Sequence, residues 1–179
     1  MINGNKLKIK KTVFTAEQIQ KRVSEIAKQV SADYAGKTLH VICVLENGFM
    51  FMSDFVRQLE IPVVCHFVRP DTRETKQGSS STTEIFYTPE TDVTGKDVLL
   101  VEAIVQSGIT SEFLIRNFTT RGAASVKLAA LLDKQSERKV MLHPEYFGFL
   151  LDESFVVGYG LGAPLLGRNL PYIGVLARD

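Results

Sequence analysis

The sequence predicts an α/β domain with a mostly parallel central sheet, flanking helices and a small irregular hood over one end of the strands. Continuous apolar runs with many β-branched residues recur along the chain, as in strands covered on both faces. Segments with the spacing of amphipathic helices alternate with these runs. The length suits a single domain, so we expect residues 1–179 to form one unit, with the hood built from the N-terminal segment and residues 140–179.

The composition excludes several classes of protein. A formal net charge of +1 leaves no basic surface of the kind that binds nucleic acid. No apolar run is long enough to span a bilayer, and the polar, lysine-rich start of the chain lacks the apolar core of a signal peptide. Cys43 and Cys65 lie inside apolar runs, where we expect inert packing groups rather than a disulfide. We therefore expect a cytoplasmic protein without nucleic-acid or membrane partners.

The first predicted helix begins after Thr15. Thr15 is expected to be its N-cap residue, and Gln18 stands where a capping box requires it. Apolar residues then recur at helical spacing at Ile19, Val23, Ile26, Ala27 and Val30. This pattern predicts a helix with one buried face that ends near Tyr34, before Gly36.

A strand, a turn, a helix and a second strand follow. The apolar run Leu39–Leu45 predicts a buried strand, residues 46–48 a turn, and Phe49–Leu59 a helix. Another buried strand is expected at Ile61–Val68. The polar stretch Arg69–Thr83 predicts a long loop, and loops of that length are usually mobile lids or disordered segments.

The second half of the chain repeats this alternation and then becomes irregular. We expect a short strand at Glu84–Tyr87, a buried strand from Val98 and a helix at Ser111–Arg121. Another apolar strand is predicted at Val126–Leu132, and short strands are predicted at Phe147–Leu150, Phe155–Val157 and Tyr172–Leu176. Glycine and proline separate the last of these, which is why this part of the chain is expected to form a hood.

The most informative segment is VLLVEAIVQSGIT, residues 98–110. A buried strand leads into a loop of small polar residues and then directly into a helix. Such a loop presents backbone N–H groups and a helix N-terminus to an anion, usually a phosphate. Glu102 is the only carboxylate in the segment, although a site for phosphate chemistry normally carries more of them for metal binding or proton transfer.

Four segments resemble hypoxanthine-guanine phosphoribosyltransferases in order and spacing, between about Val13 and Val175. They are VLENGFMFMSDFVRQL, VLLVEAIVQSGIT, LAALLDK, and FVVGYGL followed by RNLPYIGVL. Members of this family transfer a ribose phosphate from phosphoribosyl pyrophosphate to a 6-oxopurine and release pyrophosphate, with magnesium. The resemblance implies the type I phosphoribosyltransferase fold and association into a homodimer or homotetramer.

Two binding elements of the family have counterparts. The resemblance implies that the ribose 5′-phosphate is held by Ser107, Gly108, Ile109 and Thr110, with an ordinary strand-to-helix turn as the alternative. Lys134 matches the lysine that donates to the purine 6-oxo group, Phe155 the aromatic that stacks on the base, and Val156 the residue whose backbone meets the base edge. An ammonium only donates hydrogen bonds, so it selects an oxo group over an amino group.

The departures from the family fall on groups that perform the chemistry. Glu102 is retained and is the remaining candidate ligand for magnesium. Two Asp positions of the family are Ala103 and Gln106 here, and a third is Gly162. A glutamine hydrogen-bonds but does not exchange a proton, and general acid–base catalysis typically contributes ~10²–10⁴ in rate.

The pyrophosphate loop differs as well. Glu46 and Asn47 stand where the family has Lys-Gly or Arg-Gly, and Arg168 matches an arginine near the pyrophosphate, with a plain surface arginine as the alternative. A carboxylate about 4 Å from one pyrophosphate charge is repelled by roughly 4 kcal/mol at an effective dielectric constant of 20, unless Glu46 rotates into solvent. A Ser-Tyr pair that relatives carry soon after the arginine matched by Arg69 is missing, which puts lid closure in doubt.

Three functions remain open at this point. The first is a binding protein for a purine nucleoside monophosphate such as GMP or IMP, or for a purine base, with weak or no transferase activity. The second is a working purine-salvage enzyme that uses phosphoribosyl pyrophosphate, with one magnesium ion held by Glu102 and the diphosphate. The third is a non-catalytic subunit of an oligomer, associating through the apolar residues of 49–55, which are otherwise plain core.

Overall fold

The computed structural model describes residues 8–77, 80–86, 91–153, 155–162 and 166–177, with the backbone alone for 71–77 and 80–86. The α-helices of this part are α1 (Ala16–Asp33), α2 (Phe49–Val56) and α3 (Ile109–Thr120). Its strands are β1 (Ile9–Phe14), β2 (Leu39–Val44), β3 (Val63–Val68), β4 (Asp71–Gln77), β5 (Ser80–Phe86), β6 (Asp97–Val105), β7 (Ser125–Asp133), β8 (Tyr146–Leu150), β9 (Val156–Val157) and β10 (Ile173–Leu176). A 3-10 turn, Gln135–Glu137, follows β7.

Five strands form a parallel sheet in the order β3-β2-β6-β7-β8. The chain moves outward from β2 to β3 and then returns to β6 on the other side of β2, so the direction of winding reverses between β2 and β6. Ligands of open α/β sheets bind outside the carboxyl ends of the strands at such a reversal. The loops after β2, β6 and β7 therefore meet where a site is expected.

Helices cover both faces of this sheet, as the alternating pattern predicted. α1 and α2 contribute to the core on one face, where Ile26 and Phe55 are fully buried. α3 covers the other face with Leu114 and Phe118. Fully burying a side chain of this kind stabilises the fold by about 1.5–3 kcal/mol relative to leaving it in water. None of the helices described is long and apolar enough to cross a membrane.

The predicted start and end of α1 are confirmed. The Thr15 hydroxyl accepts a hydrogen bond from the Gln18 backbone N–H at 3.3 Å, and the Gln18 side chain accepts one from the Thr15 N–H at 2.8 Å. This capping box satisfies two N–H groups that the helix leaves without partners. The helix ends at Asp33, and Gly36 adopts a left-handed conformation with φ of +76°.

The hood is a small antiparallel sheet of β1, β10 and β9, which joins the N-terminal segment to the end of the chain. β8 lies within the range 140–179 that was expected to form the hood, but it extends the central sheet instead. It pairs in parallel with β7, from Ala129 and Tyr146 to Asp133 and Leu150. Gly148 makes this pairing possible, because a Cβ there would lie 2.4 Å from the Leu131 carbonyl oxygen.

The expectation of a structureless loop at 69–83 is wrong. β4 and β5 pair in antiparallel fashion over seven residues, from Asp71 opposite Phe86 to Gln77 opposite Ser80. The many serines and threonines there indicated a loop, but the β-branched threonine also favours strands. β5 also includes most of the short strand expected at 84–87, and residue 87 lies outside the described residues.

The strand expected to be buried at 61–68 is an edge strand. β3 begins at Val63 and pairs with β2 alone in the central sheet, so much of it faces solvent. Phe67 is 56% exposed and Cys65 is also exposed, which overturns the expectation that Cys65 is a packing group. Cys43 on β2 is buried, as expected.

Candidate active site

An open pocket lies at the carboxyl ends of β2, β6 and β7 and beneath the hood. It is lined by Asn47, Ile104, Gln106, Lys134, Leu151, Phe155, Val156, Leu161 and Gly162. Five residues of the predicted site therefore meet in one place, although they come from four separate segments of the chain. Of the other predicted site residues, Ser107 lines a second pocket, which also includes Gln106.

Lys134 follows β7 directly and is only 2% exposed. Its backbone N–H donates to the Val105 carbonyl at 2.9 Å, which ties the end of β7 to the end of β6. Its ammonium lies 2.6 Å from a carboxylate oxygen of Glu137, on the 3-10 turn. A buried ammonium is costly unless it is paired, so Glu137 stabilises the charge that Lys134 brings to the pocket.

Two hood residues complete this side of the pocket. Val156, at the start of β9, is 7% exposed and fixed by pairing with Val175 on β10. Phe155 precedes it and is 49% exposed, so its ring is available to a ligand and adds little to the core. The pocket therefore combines a buried cation with an exposed aromatic ring.

The loop at 107–110 has the geometry of an anion site. Gly108 has a φ of +77° and is the N-cap of α3, so the helix begins at Ile109. The Ser107 hydroxyl accepts a hydrogen bond from the Ile109 N–H at 3.4 Å. The next N–H groups, of Thr110 and Ser111, belong to the first turn of α3, where backbone donors point out of the helix end.

Arg138 holds this loop in place, and the sequence reading did not identify it. Its guanidinium donates to the carbonyl oxygens of Gln106, at 2.9 Å, and of Leu142, and it is paired with the Asp133 carboxylate. A Cβ on Gly108 would lie 3.0 Å from the Arg138 Cδ, so glycine is needed for this packing as well as for its φ. The available signal in the sequence was the spacing of Lys134 and Arg138, which stand on either side of one short turn.

Glu102 does not line the pocket. It is 9% exposed on β6, and its carboxylate accepts a hydrogen bond from the Ser111 hydroxyl of α3 at 2.6 Å. Burial raises the pKa of Glu102 to about 7, although the hydrogen bond from Ser111 and the charge of Arg138 act in the opposite direction. This side chain joins β6 to α3.

The positions that lack the family's carboxylates have very different surroundings. Ala103 is 2% exposed and belongs to the apolar core on the α1 and α2 face. Gln106 is exposed and lines the pocket. Gly162 also lines the pocket, and a Cβ there would lie 2.7 Å from the Arg168 Cγ and 3.0 Å from the Leu166 carbonyl oxygen. Within the described ranges, no group of three or more Asp, Glu, His or Cys side chains can hold a metal ion.

Glu46 lies between two arginines and is not directed freely into solvent. Its carboxylate oxygens lie 3.2 Å from an Nη atom of Arg69 and 3.6 Å from one of Arg168. Arg168 also donates to the Asn47 side-chain oxygen at 2.6 Å and to the Gly160 carbonyl at 2.5 Å. The hood is therefore joined to the loop after β2 through a charged cluster beside the pocket.

The chain matches the family profile described as "Phosphoribosyl transferase domain" over residues 11–163. It belongs to the phosphoribosyltransferase family. The parallel five-stranded sheet with its flanking helices is accordingly the type I phosphoribosyltransferase fold.

The similarity is specific to the hypoxanthine-guanine branch of this family. The hypoxanthine-guanine phosphoribosyltransferase of Bacillus subtilis is 36% identical over 168 residues, covering 94% of this chain and 93% of that protein. That of Mycobacterium bovis is 36% identical over 174 residues, covering 94% and 86% respectively. A crystal structure of the Bacillus anthracis enzyme, with a HEPES molecule in its active site, is 34% identical with a TM-score of 0.85, covering 97% of this chain and all of the other.

Proposed function

We propose that this phosphoribosyltransferase homologue binds a 6-oxopurine nucleoside monophosphate, such as GMP or IMP, and that its transferase activity is weak or lost. The observation that carries the proposal is a difference between two sets of site residues. Residues expected to bind a purine are present in the pocket, while carboxylates expected to take part in the reaction are replaced. Lys134, Phe155 and Val156 line the pocket, and Gln106 and Gly162 line it in place of carboxylates. Ser107, in the loop 107–110, lines a second pocket that also includes Gln106.

The base side supports a ligand with an oxo group. The Lys134 ammonium is buried and held by Glu137, so it is preorganised as a donor. An adenine amino group offers no acceptor at that position, so it gains no hydrogen bond from the Lys134 ammonium. GMP and IMP present an oxo group there, and AMP does not.

The catalytic side supports weak turnover. Gln106 is placed to hydrogen-bond a base, but an amide neither takes up nor releases a proton near neutral pH. Ala103 is enclosed in apolar core. Magnesium, which the family resemblance implies, is not well accommodated by the residues present, because Glu102 is buried and engaged by Ser111. Substrate positioning alone would have to drive any remaining transfer.

Isothermal titration calorimetry tests the proposal. The full-length chain is titrated with GMP, IMP, AMP and phosphoribosyl pyrophosphate under one buffer condition. We expect GMP or IMP to bind at least ten times more tightly than AMP, and phosphoribosyl pyrophosphate to bind weakly. Tight binding of phosphoribosyl pyrophosphate without binding of either 6-oxopurine nucleotide would refute the proposal.

A working purine-salvage transferase is the second candidate, and the 36% identity to the Bacillus subtilis enzyme over 93% of its length favours it. In that case the chain would use hypoxanthine or guanine, phosphoribosyl pyrophosphate and magnesium. A steady-state assay with both bases decides between the two candidates. Rates typical of the relatives would establish the second candidate and exclude a mere binding role.

A further inference from the structure

The charged cluster around Glu46 carries an inference beyond the nature of the nucleotide. Three loops meet there: Glu46 follows β2, Arg69 follows β3, and Arg168 comes from the hood. The two guanidinium groups approach different oxygens of one carboxylate, at 3.2 Å and 3.6 Å. Asn47, which lines the pocket, contacts Arg168 directly, so this cluster and the pocket are adjacent.

Two arginines from separate loops that converge on one point form an anion site. Guanidinium groups bind phosphate oxygens and carboxylate oxygens with the same geometry, because both anions present paired acceptors. In this chain the Glu46 carboxylate already occupies the site. A covalently attached carboxylate competes with a free anion at a high effective concentration.

Arg168 is held independently of Glu46. Its other Nη atom donates to Asn47 and to the Gly160 carbonyl, and its side chain is only 23% exposed. Gly160 allows this close approach, since a Cβ there would lie 2.4 Å from the Asn47 carbonyl oxygen. Removing the Glu46 charge should therefore leave Arg168 in position, with one fewer negative charge opposite it.

We infer that Glu46 determines ligand specificity by occupying the anion position beside the pocket, so that ligands carrying a diphosphate on this side are excluded. A phosphomonoester that binds at the loop 107–110 does not need this position and is accepted. The inference deepens the proposed function and rests on it for the identity of the ligand in the pocket. On this inference, the proposed weak or lost transfer has two causes: poor binding of the diphosphate substrate and the missing carboxylates.

The test compares three full-length proteins by calorimetry with inorganic pyrophosphate as the probe and with GMP. Glu46→Gln removes the charge and keeps the size of the side chain. Glu25→Gln is the matched control, because Glu25 is another exposed glutamate paired with an arginine, Arg22 at 2.8 Å, far from the pocket in sequence and on α1. Circular dichroism confirms that all three proteins are folded.

We expect Glu46→Gln to bind pyrophosphate about ten times more tightly than the unaltered chain, with Glu25→Gln unchanged. A gain below about threefold, an equal gain in the control, or no measurable binding to any of the proteins would overturn the inference. In the double variant Glu46→Gln with Arg69→Gln, the gain should be largely lost, and its full retention would also overturn the inference. GMP affinity of the unaltered chain is read separately: its absence would refute the proposed function without deciding the pyrophosphate comparison.

Discussion

The two sides of the pocket are stabilised in different ways. On the side of β7, Lys134 and Val156 are almost fully buried, at 2% and 7% exposure, and main-chain hydrogen bonds fix the strands that carry them. On the side of β2, the Glu46 and Arg69 side chains are 48% and 74% exposed and are held by ion pairs. Exposed ion pairs contribute about 0–1 kcal/mol, so residues on this side can change at little cost to stability. On the other side, changes at Lys134 or Val156 also affect the buried residues around them.

Gln106 is exposed, like Glu46 and Arg69, so we expect that it can be substituted at little cost to stability. Gln106→Asp should raise the rate of GMP formation from guanine and phosphoribosyl pyrophosphate by about 10²-fold or more, since it returns a group that can exchange a proton. The measurement is a steady-state assay with magnesium present. Gln29→Asp, an exposed change on α1, is the control and should have no effect. An unchanged rate in Gln106→Asp would show that another step limits the chain.

Ala103 should respond in the opposite way to the same kind of substitution. Ala103→Asp places a carboxylate in an apolar core and should lower the free energy of unfolding by about 3 kcal/mol. Urea denaturation measures the loss. Ala124→Asp, at an exposed position before β7, should change stability by less than about 0.5 kcal/mol. Equal effects of the two substitutions would mean that position 103 is open to solvent.

Glu102 should make stability depend on pH. Its pKa is about 7 in the folded chain, above its ordinary value of 4.5, so the folded state binds the proton more tightly than the unfolded state. Protonation of Glu102 therefore contributes to the free energy of unfolding, on the order of 3 kcal/mol in total. This contribution is fully present below pH 4.5 and is lost as the pH rises through 7. Burial lowers the pKa of His40 and of His66, and these groups act in the opposite direction.

A comparison of the unaltered chain with a Glu102→Gln variant isolates the contribution of Glu102 to this pH dependence. The free energy of unfolding of Glu102→Gln, measured from pH 5 to 8, should fall less with rising pH than that of the unaltered chain. Parallel curves for the two proteins would show that Glu102 titrates normally.

Lys134→Met should weaken GMP binding by about 10- to 100-fold, the range expected for a hydrogen bond to a charged donor. AMP binding should change much less, because AMP has no oxo group to lose. Lys28→Met, an exposed change on α1, serves as the control. Calorimetry with both nucleotides measures these affinities. An equal loss of affinity for GMP and for AMP would show that Lys134 has only a structural role.

Phe155→Ala should have the smallest effect. Loss of ring stacking should weaken GMP binding by about fivefold, equivalent to roughly 1 kcal/mol. Because Phe155 is 49% exposed, the melting temperature should stay nearly constant. A large drop in melting temperature would instead place this ring in the core.

The parts of the fold that follow from local patterns were predictable from the sequence. The capping box at Thr15 and the doubly covered strand β2 follow from residue spacing and apolar content. The exposure of β3 was not predictable, since an edge strand and a central strand can have the same apolar sequence. Likewise, β8 joins the central sheet because Gly148 permits a close approach to β7, which a sequence pattern does not indicate.

For the site, family resemblance pointed to residues that the structure does gather, including Lys134 and Gln106. It did not indicate which side chains support them. Arg138, Ser111 and Glu137 act on neighbouring residues through hydrogen bonds and ion pairs. Such contacts depend on the distance between strand ends and helix starts, which only the folded chain provides.

The crowding at Gly162 limits which residues this position can hold. Any side chain at that position would collide with the stem of Arg168 and with the main chain at Leu166, so the hood would first have to shift. A carboxylate at position 162 therefore requires these neighbours to move. Gln106 is exposed, so a carboxylate at position 106 needs no such movement.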